Sequence, residues 1–63
     1  MNIVAEKCLR YRAEHSLSQE RMAKLCGVSR FTILKLENGG SVSKLTAYKI
    51  LLVADREVEA DES

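Results

Sequence analysis

Apolar residues recur along this chain at spacings of three and four and seldom alternate one by one. The pattern predicts helices and an all-α fold. No proline is present, and the three glycines, Gly27, Gly39 and Gly40, fall where the apolar pattern breaks. Asn2 can cap a first helix over 3–14, with Ala5, Cys8, Leu9 and Arg12 on its inner stripe. His15 and Ser16 then form a turn. Ser18 caps a second helix that runs to Cys26, and Glu20 sits in its first turn, where an acid suits the helix dipole. The third residue after that cap is Arg21, so the reciprocal capping box is absent. Gly27 ends the helix at the position where a left-handed residue is cheapest. Ser29 caps a third helix over 30–38, closed by Gly39, and Ser43 caps a fourth over 44–53. Beyond Asp55 the signal weakens, and a frayed fifth helix, a short strand and a disordered tail all remain open.

The second and third predicted helices are separated only by "GVS", a tight turn containing glycine, which is the signature of a helix-turn-helix. Ala23 is small where the third helix must approach. Met22, Cys26, Val28, Ile33 and Leu36 supply a shared core, with Leu17 from the preceding turn. The third helix, within "SRFTILKLENGG", carries more apolar residues than one face can bury. Projection at about 100° per residue points Ile33 and Leu36 inward and puts Arg30, Phe31, Leu34, Lys35 and Asn38 on one outward face.

Charge changes the picture of that face. The chain has 63 residues and a net charge of +1, but the two signs are segregated. Residues 1–53 hold nine Lys or Arg against four acids, whereas the last ten hold five acids and one Arg. A basic body with an acidic tail suggests an anionic partner for the body, the alternative being a solvated helical surface. The organisation expected is a domain over 1–54, with the helix-turn-helix at about 18–38, and an acidic tail over 55–63.

Candidate chemistry of other kinds is sparse. Cys8 and Cys26 are not spaced as C-x-x-C, and His15 is the one histidine, so neither a disulfide framework nor a zinc site is expected. Two buried thiols in a reducing cytoplasm fit better. No cofactor or small-molecule ligand is implied. His15 has no evident Cys, Ser or carboxylate constellation around it, so an enzyme is not expected. The start, "MNIVAEK", lacks a basic n-region, and no long apolar run follows, which predicts neither a signal peptide nor a membrane span.

The stretch from Leu9 to about Ile50 resembles the helix-turn-helix family of the lambda, P22 and 434 phage repressors and Cro proteins, also called the XRE family. The resemblance is carried by "LRxxR" (Leu9, Arg10 and Arg12, as LRYR here), "LSQE" (Leu17 to Glu20), "MA" (Met22, Ala23), "GVS" (Gly27 to Ser29), "TI" (Thr32, Ile33) and "LENG" (Leu36 to Gly39). Three departures stand out. Val42 replaces a frequent proline, Arg21 replaces a common glutamate, and the chain stops near where a fifth helix would be complete.

The resemblance implies a lambda repressor-like globule of four or five short helices, dimeric binding to double-stranded operator DNA, and the third helix in the major groove. On the outward face, Arg30 and Lys35 can donate to guanine, and Phe31 can touch a thymine methyl. The alternative for Phe31 is a small protein interface or packing under the tail through Val58. For Leu34, a base contact and a packing role stay equally open. Ser29 and Thr32 complete the candidate set at the start of that helix.

The family's matching glutamine implies that Gln19 braces the DNA backbone and can hold a neighbouring side chain of the third helix. Asn38, Ser41, Ser43 and Lys44 could meet the backbone, or Ser43 and Lys44 could be an ordinary cap and a solvated lysine. The family also implies a partly buried pair between Arg12 and Glu37, expected as a bidentate salt bridge. With no room for a sensor domain, the function expected is a small Cro-like repressor acting by occupancy of a palindromic operator. The alternative is an antitoxin-like interaction module.

Overall fold

A computed structural model describes residues 2–55. The predicted tail from residue 56 onward, with its candidate packing residue Val58, lies outside the described residues. Four helices follow in order: α1 (Ile3–His15), α2 (Gln19–Cys26), α3 (Arg30–Glu37) and α4 (Lys44–Ala54). Each begins on a polar cap whose side chain accepts from the backbone N–H three residues on. Asn2 takes Ala5 at 2.8 Å, Ser18 takes Arg21 at 3.0 Å, Ser29 takes Thr32 at 3.1 Å and Ser43 takes Thr46 at 3.2 Å. These bonds satisfy donors that the first helical turn leaves without intrahelical partners. Gly27 leaves α2 at φ +73°, where a Cβ would be strained.

The helices pack mainly as α1 on α4 and α2 on α3, and α1–α3 and α2–α4 contacts close the globule. Met22, Ile33, Leu36, Ile50 and Cys8 are the large side chains that lose essentially all contact with solvent. Each such aliphatic or Met side chain contributes about 1.5–3 kcal/mol by leaving water. Ala23 is buried where α2 meets α3, and Leu17, Val28 and Val42 pack on the rim of the core. Val42 therefore anchors the turn before α4 by burial.

Two expectations for α1 need correction. Its buried face is Ala5, Cys8 and Tyr11, while Leu9 is only half-buried. The helix is rotated toward Tyr11, whose ring lies 4.2 Å from that of His15. His15 belongs to the last turn of α1, and the left-handed residue that ends it is Ser16, at φ 54°. The predicted ends of α3 and α4 move by one residue each: Asn38 caps α3 from outside, and α4 includes Ala54. Cys8 and Cys26 are both buried thiols outside any disulfide. Among the described residues, no helix is long and apolar enough to cross a membrane.

Candidate nucleic-acid interface

Helix α3 is held by its inner face. Ile33 and Leu36 are fully buried, which fixes the rotation of the helix and turns its other side outward. Phe31 keeps 69% of its surface exposed, and Arg30, Lys35 and Asn38 are exposed beside it. Leu34 is half-buried, between the two sides. Ser29 and Thr32 form the helix start. The Ser29 hydroxyl receives the Thr32 N–H and lies 2.9 Å from the Thr32 hydroxyl, and Thr32 is half-buried. Ser41 and Lys44 are exposed in and just after the following turn.

That turn uses its two glycines differently. Gly39 adopts φ +94°, which reverses the chain. Gly40 donates its N–H to the Lys35 carbonyl at 2.8 Å, and a Cβ there would fall 2.6 Å from the Lys35 Cγ. The stem of Lys35 thus runs directly against Gly40. The sequence pattern identifies the stop at Gly39 but gives no sign of this close approach.

Behind α3 lies a polar junction centred on Glu37, whose side chain is only 7% exposed. Arg12 Nη1 donates to both carboxylate oxygens, at 2.6 and 2.7 Å. This is not a parallel two-nitrogen fork, because Arg12 Nε is engaged by the Leu17 carbonyl at 3.0 Å. Gln19 Nε2 donates to Glu37 Oε1 at 3.0 Å, tying the start of α2 to the end of α3. The Cys8 thiol donates to Glu37 Oε2 at 3.6 Å. Cys8 was missed as a member of this junction, although it lies one helical turn before Arg12 and so shares its face. Burial first, and then the adjacent Glu37 charge and its hydrogen bond, push the Cys8 thiol from 9.0 up to about 12, with Arg12 opposing. The thiol is therefore a neutral donor at ordinary pH, and too protonated to be a nucleophile.

Between the starts of α2 and α3 is a cleft of about 410 Å³ lined by Arg12, Ser18, Gln19, Glu20 and Arg30. It places the exposed Arg30 beside the N-terminus of α2, a combination suited to an anion such as a phosphate, while the Arg12 guanidinium on its wall is already engaged by Glu37 and the Leu17 carbonyl. Glu20 on the rim keeps that cleft from being uniformly positive. Together, the exposed face of α3, this cleft and the turn carrying Ser41 and Lys44 combine cations, an amide and an aromatic ring. A DNA groove with its flanking phosphates asks for such a mixture.

A family model described as Helix-turn-helix matches residues 9–59, which include the whole of α2 and α3. The chain belongs to the XRE, or lambda repressor-like, helix-turn-helix family. Membership in this family supports a DNA-binding regulator, and the family's domain is a binding module without catalytic chemistry. No curated protein and no solved structure matches the chain significantly. Among the described residues, no group of His, Cys, Asp and Glu is placed to hold a metal ion.

Proposed function

We propose that this family member is a small Cro-like repressor. It binds a palindromic operator as a homodimer and acts by occupying the site. Helix α3 enters the major groove, with Arg30 and Lys35 reading guanines and Phe31 resting on a thymine methyl. Gln19, Ser29, Thr32, Asn38, Ser41 and Lys44 flank it toward the sugar–phosphate backbone, and Leu34 borders the groove. The observation that carries this reading is Phe31: a ring 69% exposed between Arg30 and Lys35 on a helix otherwise fixed by its core residues. Exposed aromatic surface among cations is costly in water, and a methyl-bearing base edge gives it an apolar partner.

Selection of duplexes from random DNA, followed by salt titration, tests the reading. The selected sites are expected to be palindromes with half-sites about 34 Å apart, or a multiple of that. Log affinity should fall with log salt by about 0.9 per phosphate neutralised. Failure to enrich any sequence would reject it.

A further inference from the structure

Phe31 is the only phenylalanine of the chain and, among the described residues, the most exposed of the large apolar side chains. Its neighbours on α3 make a mixed strip. Leu34 stands three residues on and is half-buried, so the ring and the isobutyl group are neighbours on the helix surface. Arg30 is four residues before Leu34, and Lys35 is four after Phe31, so each apolar residue has a cation one turn away. The one acid of α3, Glu37, is turned to the opposite side with 7% exposure. The strip therefore joins an apolar centre to two cationic donors, with no carboxylate of α3 beside them.

That composition narrows what the strip can read on a base edge. A phenyl ring has neither donor nor acceptor, and the C5-methyl is the apolar group that the major groove offers it. Thymine and 5-methylcytosine carry the same methyl at the same place. They differ at C4, where thymine accepts through O4 and cytosine donates through its N4 amino group, and the ring bonds to neither. The cations beside the ring are donors only. Guanine, the partner of 5-methylcytosine, offers them O6 and N7, whereas adenine offers N7 and adds a competing amino donor. We infer that this face reads the C5-methyl group of a pyrimidine whichever base carries it, so that methylation of cytosine at the operator strengthens binding. The inference deepens the operator reading proposed above and rests on it.

One methyl group sets the size of the effect. Burying a single group of this kind changes an equilibrium constant by about fourfold. The effect is confined to one base pair. Truncating Phe31 removes it without touching the core, because Ile33 and Leu36 hold the helix from the other side.

The full-length chain and the duplex recovered by selection supply the test. At the base pair where Phe31→Ala relaxes the preference, duplexes carrying thymine, uracil, cytosine and 5-methylcytosine are compared, each base opposite its own partner. Uracil is expected to bind about fourfold more weakly than thymine, and 5-methylcytosine about fourfold more tightly than cytosine. In Phe31→Ala both ratios should fall to about one while melting is unchanged, and Phe31→Leu, which keeps an apolar tip, should retain part of each. Equal binding of the two members of either pair by the wild-type chain overturns the inference. So does a selected site at which Phe31→Ala relaxes no base pair. Either result, with a sequence enriched, leaves the operator reading standing, whereas failure to enrich any sequence removes both.

Discussion

Lys35 and Glu37 are two residues apart on α3, and their surroundings are opposite. Glu37 is 7% exposed and collects donors from Arg12, Gln19 and Cys8. Lys35 stands in solvent on the far side, alongside Arg30, Phe31 and Asn38. The difference separates two uses of charge on one eight-residue helix. At the inner edge, Arg12, Gln19 and Cys8 donate to the Glu37 carboxylate and Arg12 also donates to the Leu17 carbonyl, so these bonds hold α1, α2 and α3 together. On the outer face, the donors and the ring meet water and are available to a partner. Damage to the first region should be read in folding, and damage to the second in binding.

The largest effect should come from breaking the inner edge. Arg12→Met keeps the apolar stem but leaves the Glu37 carboxylate buried without its cation. We expect a loss of about 3 kcal/mol. For a domain of this size, that lowers Tm by more than about 10 °C. Wild-type melting would show that the junction does not hold the fold. On the outer face, Arg30→Ala should leave melting unchanged while weakening binding to the selected operator by about 1–3 kcal/mol and relaxing preference at one base pair. Phe31→Ala should act in the same direction at an adjacent pair. A melting loss without a binding loss for either would erase the distinction between the two faces.

A smaller effect is expected at Lys44. Lys44→Gln should reduce the magnitude of the salt slope by about 0.9 while leaving the ranking of DNA sequences unchanged. An unchanged slope would make Lys44 a solvated residue. The smallest effect at accessible pH belongs to Cys8. Its folded thiol keeps the proton up to about 12, against an ordinary value of 9.0. The folded chain therefore binds more protons than the unfolded chain between those values. The stabilisation is complete below 9.0 and is lost as pH rises from there toward about 12. Denaturant midpoints measured across that window should fall in wild type and fall less in Cys8→Ala. Equal slopes would remove Cys8 from the junction.

The caps and glycine stops made the element order readable, because Ser18, Ser29 and Ser43 announce helix starts and Gly27 and Gly39 mark the breaks. The outward face of α3 was legible in part: Ile33–Leu36 and Phe31–Leu34 are both pairs three apart, and the register of the helix-turn-helix pattern gives the first pair to the core, where both residues are fully buried. Helix α1 was harder. Ile3, Val4, Leu9 and Tyr11 surround it with apolar groups, so the pattern alone does not choose its inner face, and contact with α3 and α4 selects Tyr11 over Leu9. In α4 the apolar residues run nearly all round, and only packing decides that Ile50, Val53 and Ala54 turn in while Leu45, Tyr48 and Leu52 turn out. Cys8 escaped notice as a donor because a buried thiol reads first as a small hydrophobe.

The close approach of Gly40 to Lys35 has a consequence for how that lysine would meet DNA. A lysine immobilised from free solution loses up to about 2 kcal/mol of rotamer entropy. Here the Cγ already lies against a backbone that leaves no room for a Cβ, and the Gly40 N–H is bonded to the Lys35 carbonyl. Part of the disorder that binding would otherwise remove is therefore absent beforehand, and only the outer bonds of the side chain are left to order. A residue with no side chain, outside the helix, thus sharpens the aim of one inside it.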